Sequence, residues 1–211
     1  MNSESLLFFR MIRDFLCVYL PKQKASSENT IKSYRLTLNL LIDYIVDSLG
    51  ISLAEINFTT ITRKLIEDFL DWIETERNCC ITTCNQKLAC IKSFYKYIGN
   101  RDIKLMVYYQ ELQVIPVKKE IKKKHIKFFS ESVLKSILDQ PNKTSKKGLR
   151  NLFFMILMYD TAGRNQELLD LHLNDIHIST DSPYVVFTGK GNKTRLVPIM
   201  QKTVDHYKNY I

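Results

Sequence analysis

Glycine and proline are scarce, with six and five among 211 residues. That scarcity argues against disorder and against a turn-rich all-β fold. No apolar run approaches the roughly 18 residues that a membrane-spanning helix needs. The opening MNSESLLFFRMIRDF carries charges inside its apolar stretch and no early basic region, so it does not read as a signal peptide. A cytoplasmic, nucleoid-associated protein without a membrane partner is the expectation. The five cysteines, Cys17, Cys79, Cys80, Cys84 and Cys90, form no CxxC pair and have no histidine nearby. No zinc site is expected, and the thiols read as reduced packing groups. Acidic residues are outnumbered, 22 against 31 lysines and arginines, for a net charge of +9. Such an excess favours a polyanionic partner, most often nucleic acid.

What is present is helical periodicity. Phe8, Ile12, Phe15 and Tyr19 form one apolar stripe, and Ile31, Tyr34, Leu38, Leu41 and Ile45 a second. Ile66, Phe69 and Ile73 form a third, and Cys84, Leu88, Ile91, Tyr95 and Ile98 a fourth. Pro21 is expected to close the first helix, the Ser26–Ser27 pair to cap the second and Gly99–Asn100 to end the fourth. Four amphipathic helices with short connections predict a bundle, with a short fifth helix near residues 101–112. Then PVKKEIKKKHIK, residues 116–127, sets six lysines against one glutamate. Charges this dense resist packing, so the stretch reads as an extended linker. A solvated segment is the plain reading. The functional one is a strap along a phosphate backbone, with Lys118, Lys119, Lys122, Lys123 and Lys124 giving salt-dependent affinity without sequence preference.

A second domain begins near residue 128. Ser130 can cap a helix carrying Val133, Leu134, Ile137 and Leu138, which Pro141 and Asn142 stop. Another helix spans about 147–159, Thr161–Gly163 breaks it, and a further helix begins near Arg164. The pattern then changes. PYVVFT is β-branched and aromatic, GKGN follows, and KTRLVPI reads as a second strand, so a hairpin with a glycine-rich turn is predicted. Residues 200–210 read as helix again.

At this point the chain resembles the tyrosine recombinases, the phage integrase family. NTIKSYRLTLNLLIDY and TTCNQKLACIKSFYKYI resemble the second and fourth helices of that family's core-binding domain. YDTAGRNQELLDLHLNDI resembles its Y-x-T-G-x-R-x-x-E-L-x-x-L-x-x-x-D-I segment, and TGKGNKTRLVPI its G-K-G-x-K-x-R-x-x-P hairpin. The implied fold is mainly α with a small β-hairpin. A helical, SAM-like core-binding domain at 1–112 and a basic linker at 113–127 precede the N-terminal part of an α+β catalytic domain at 128–211.

Implied chemistry follows from the resemblance. A tyrosine attacks a DNA phosphate, leaving a 3′-phosphotyrosine link and a free 5′-hydroxyl, and no cofactor is needed. Arg164 would be the first arginine of the phosphate clamp, its planar guanidinium donating paired hydrogen bonds to the phosphate oxygens. Its place at a helix start would also aim backbone N–H groups at an anion. Lys190 would protonate the departing 5′-oxygen, with Lys193 a rival in the same hairpin. Glu167 would accept from the clamp or, as the favoured reading, merely buttress the helix. On the bundle's second and fourth helices, Lys32, Ser33, Arg35, Asn85, Lys87 and Lys92 are candidates for double-stranded DNA contacts, to phosphates or base edges, with plain solvent exposure the alternative. Tyr34 and Tyr95 read as core.

Two departures stand out. Ala162–Gly163 precedes the arginine where glycine followed by an apolar residue is usual. And none of His125, His172, His177 and His206 has an arginine three positions on, so the H-x-x-R segment, the later His or Trp and the nucleophilic tyrosine are not found. Tyr207 and Tyr210 come too early in the order. The expectation is a truncated or degenerate chain that binds DNA without cleaving it. Full-length members of such a family would assemble as homo-tetrameric synapses. A non-catalytic DNA-binding regulator and a helical protein-interaction module are the competing readings.

Overall fold

In the computed structural model, residues 3–119, 128–189 and 191–211 are described. The chain divides into two units, Met1–Lys123 and Lys124–Ile211. Lys122, Lys123, Lys124 and Lys190 lie outside the described residues.

Unit 1 is helical. α1 spans Ser3–Asp14 and runs on as a π-helical segment, Phe15–Gln23. The expected stop at Pro21 does not occur there. Pro21 lies inside that segment, where the wider i→i+5 winding eases the clash of its ring with the i−4 carbonyl, although its missing N–H still leaves one bond unmade. α2 spans Glu28–Asp43, continues as Tyr44–Ser48, and is capped by Ser27, whose side chain accepts from the Thr30 N–H. α3 spans Arg63–Thr75, with Thr62 accepting from the Leu65 N–H. α4 spans Ile81–Arg101 and passes straight through Gly99–Asn100. Gly99 is needed for space rather than as a terminator. A Cβ there would lie 3.2 Å from Met106 Sδ and 3.3 Å from Met106 Cα, at the start of the next helix. That helix, α5, spans Met106–Gln113.

The stripes meet in one core. Phe8, Phe15, Leu38, Leu41, Ile45, Ile66, Phe69, Ile73, Cys84, Leu88, Ile91, Tyr95 and Ile98 are all buried there. Edge-on ring contacts join α1 and the π-helical segment to α4, with Phe8 and Phe15 each against Phe94 at 6.1 and 5.4 Å between centroids. The Tyr95 hydroxyl has no hydrogen-bond partner among the described residues, and burial pushes its pKa far above the usual tyrosine value. A buried unpaired hydroxyl costs on the order of 1–3 kcal/mol. Tyr95→Phe is therefore expected to stabilise unit 1 by about 1 kcal/mol, read as a raised urea midpoint at unchanged slope.

Unit 2 begins its helices with α6, Glu131–Leu138, capped by Ser130. α7 spans Lys146–Thr161, capped by Ser145, and ends in left-handed Ala162. α8 is short, Asn165–Leu169. Among the described residues three antiparallel strands follow: β1, Ile176–His177; β2, Tyr184–Gly189; and β3, Lys193–Pro198, in the order β1-β2-β3. The hairpin β2–β3 matches the sequence reading, whereas β1 is too short to leave a periodic signal. α9 spans Gln201–Tyr210 and lacks a side-chain cap of its own. Asp160 of α7 supplies one, accepting from the Met200 N–H at 2.8 Å and the Thr203 hydroxyl at 2.7 Å. Phe153, Leu157, Leu168, Val185, Phe187, Ile199 and Val204 form this unit's core.

Candidate functional site

The segment from Thr161 to Glu167 is a built turn. The Thr161 hydroxyl donates to the Leu157 carbonyl at 2.6 Å and accepts from the Gly163 N–H at 3.2 Å. Ala162 takes φ 49°, the conformation in which glycine is ordinarily favoured. Gly163 does a different job. A Cβ there would come within 2.8 Å of Leu168 Cδ1 and 3.1 Å of Phe187 Cζ, so any side chain would force those two core groups to shift where the turn presses against β2. The reversed Ala–Gly order thus puts glycine where space is short and leaves the left-handed position to an exposed alanine.

Arg164 ends this turn as the residue before α8. Its backbone N–H donates to Glu167 Oε2 and its Nη1 to Glu167 Oε1, both at 2.9 Å. The anion that meets this helix start is therefore the chain's own carboxylate. Glu167 is nearly enclosed, with its side chain 5% exposed, while that of Arg164 is 73% exposed. Arg195 of β3 completes the cluster. Its Nη1 and Nη2 donate in parallel to Oε1 and Oε2 of Glu167 at 2.8 and 2.7 Å, and its guanidinium lies 4.9 Å from the centre of the Phe187 ring. The paired bonds from Arg195, then the Arg164 N–H and side chain, hold the Glu167 carboxyl far below the usual carboxylate range against the opposing effect of burial.

The hairpin tip closes on the same point. A Cβ on Gly189 would stand 2.7 Å from Glu167 Oε1 and 3.6 Å from Arg195 Nη1. Beyond Gly189, Gly191 and Asn192 both take positive φ, 77° and 58°, and the Asn192 N–H donates to the Gly189 carbonyl at 3.1 Å. Lys193, exposed, pairs with Gly189 across the hairpin. So the start of α8 and the end of β2 meet on one buried carboxylate, which carries two arginines. Arg195 was not among the residues singled out from the sequence. The alternation along KTRLVPI puts Arg195 on one strand face with Val197, the half-buried one, but that pattern names no acidic partner.

On unit 1 the candidate nucleic-acid residues fall into two groups. Lys32, Arg35 and Lys119 are exposed and Lys87 half-buried. The rest are engaged. Ser33 Oγ on α2 accepts from Gln86 Nε2 on α4 at 3.1 Å, which brings those two helices side by side. Lys92 donates to the carbonyls of Gln113 and Ile115, at 3.1 and 2.7 Å, and burial lowers its pKa. Asn85 pairs with the backbone of Lys118, Nδ2 donating to the carbonyl at 2.8 Å and Oδ1 accepting from the N–H at 3.0 Å. The Lys118 ammonium meets Glu74 at 2.6 Å and Asp71 at 3.1 Å on α3. The chain entering the basic stretch is therefore fastened to the bundle by α3 and α4.

Residues 127–211 match the phage integrase family, and residues 18–105 match the N-terminal SAM-like domain of phage integrases. The chain is 30% identical over 202 residues to the y4rD product of Sinorhizobium fredii, named as an integrase/recombinase, covering 94% of this chain and 70% of that one. The chain belongs to the phage integrase, or tyrosine recombinase, family. Tyrosine recombinase XerC of Staphylococcus saprophyticus is 27% identical over 194 residues, covering 91% of this chain and 60% of the relative. The fold of this tyrosine recombinase chain is similar to that of XerH bound to a palindromic difH substrate, with TM-score 0.62 at 17% identity over 100% of this chain and 63% of that one. It also resembles the Tn1549 transposon integrase in complex with circular intermediate DNA, with TM-score 0.56 at 13% identity over 99% and 64%. The chain thus spans between about three-fifths and seven-tenths of these relatives' lengths. Among the described residues no helix is long and apolar enough to cross a membrane.

Proposed function

We propose that the chain binds double-stranded DNA as the core-binding and leading catalytic portion of a site-specific recombinase. In this reading Arg164 grips the oxygens of a scissile phosphate and Lys190 donates a proton to the departing 5′-oxygen. The observation that carries it is the gathering of Arg164, Arg195 and the Gly189 end of the hairpin on Glu167. Two guanidiniums on one carboxylate leave a positive excess beside an arginine that is mostly exposed, which suits a phosphate. Lys32, Arg35 and Lys87, with Lys119, Lys122, Lys123 and Lys124, supply further phosphate contacts, whereas Asn85 and Lys118 set where that basic stretch leaves the bundle. The similar folds of XerH and the Tn1549 integrase, each solved on DNA, support the same partner.

These 211 residues include no H-x-x-R segment, so by themselves they bind without forming a covalent product. A salt titration of duplex binding tests the reading. Affinity is expected at low salt, falling steeply and log-linearly as salt rises. Absence of binding at low salt would sink it, and a protein-linked product from a nicked suicide substrate would contradict the non-cleaving part.

A further inference from the structure

We infer that Arg195 is the exchange partner that lets Arg164 leave Glu167 for a DNA phosphate. The inference rests on the phosphate role proposed for Arg164 and says what makes that role possible.

Glu167 accepts two hydrogen bonds on each oxygen: Arg164 Nη1 and Arg195 Nη1 on Oε1, the Arg164 N–H and Arg195 Nη2 on Oε2. The two arginines are not equivalent. Arg195 makes the parallel pair and is held over Phe187. Arg164 makes one side-chain bond and leaves most of its guanidinium in solvent. Taking one cation from a nearly enclosed carboxylate normally strands a buried charge, which is strongly unfavourable. Here Arg164 can swing out and Glu167 keeps three bonds and a neutralising guanidinium. With Arg195 gone, Arg164 becomes the only cation on Glu167 among the described residues, and phosphate must compete with a buried carboxylate for it. The ligand chemistry implied is a phosphodiester oxygen, not a base edge. Arg195 is thus a positioning residue, acting through Glu167.

The test compares duplex affinity over a salt series for Arg164→Ala, Arg195→Ala and the double variant Arg195→Ala/Glu167→Gln, all below their melting temperatures. Arg164→Ala is expected to weaken binding about tenfold and to reduce the salt slope by about one. Arg195→Ala is expected to lose nearly as much, because Arg164 is then retained by Glu167. The added Glu167→Gln removes that competing charge while leaving an amide acceptor, and is expected to restore affinity to within about twofold. A loss in Arg195→Ala that Glu167→Gln does not restore means direct contact or plain structural damage, and overturns the inference. So does Arg195→Ala with full affinity, while Arg164→Ala still weakens binding. If Arg164→Ala itself changes nothing, the phosphate role falls and the inference falls with it.

Discussion

Glu167→Ala is expected to lower the melting temperature of unit 2 by on the order of 10–20 °C, because it leaves two guanidiniums facing each other without their shared carboxylate. The side chain is 5% exposed and takes four hydrogen bonds, two from each arginine, so solvent cannot readily replace what is lost. The same group gives a pH signature. Its folded-state pKa lies far below the ordinary 4.5, with the Arg195 bonds the largest cause. A depressed carboxylate contributes its full stabilisation above the unfolded pKa and loses it as pH falls toward the folded one. The contribution should therefore be flat from neutral pH down to about pH 5 and decline below that, as the unfolded chain begins to take up the proton. Melting curves from pH 7 to pH 3 check this. Wild-type unit 2 should lose stability on acidification more steeply than Glu167→Gln, whose amide does not titrate. Parallel curves for the two proteins would show that the carboxylate is not held as the geometry says.

Gly148→Ala should damage the same unit by a purely steric route. A Cβ at Gly148 would overlap the Asn142 carbonyl oxygen outright and lie 2.6 Å from the Asn142 carbonyl carbon. These are backbone atoms, and they are held in place. The Asn142 carbonyl accepts from the Ser145 N–H and hydroxyl, and Asn142 Oδ1 from the Thr144 N–H and hydroxyl. The Gly148 N–H in turn donates to Ser145 Oγ, the cap of α7. Making room for a methyl group means moving this loop and uncapping the helix that leads to Arg164. A loss of about 3 kcal/mol, the upper part of the range for overpacking, is the expected cost, measured by urea unfolding. Lys147→Ala, one residue earlier and exposed, is the control and should change little.

How legible this was in the sequence depended on the kind of interaction. Stripes of the Ile66–Phe69–Ile73 type place helices reliably because they record burial directly. They say nothing of hydrogen-bond spacing, so the π-helical passage through Pro21 was invisible, and a glycine needed for close approach, Gly99, read as a helix end. α6 shows the opposite limit: its stripe is well formed, yet none of its residues is buried in unit 2. At the candidate site, Arg164 and the hairpin were visible through their motif. The link between them was not, because Glu167 and Arg195 are 28 residues apart and meet only when β3 folds back. Likewise Asn85 and Lys118 were both singled out as cationic or polar contacts. Their mutual pairing across 33 residues is a tertiary fact that no local pattern encodes.

The most direct measurement is a structure of the chain bound to duplex DNA, read for the distances from Arg164 Nη and Lys190 Nζ to the nearest phosphate oxygens. Both groups within hydrogen-bonding reach of one phosphate, with Arg195 still on Glu167, is the expected result. Arg164 remaining on Glu167 with no phosphate beside it, or the two cations on different phosphates, would contradict the account.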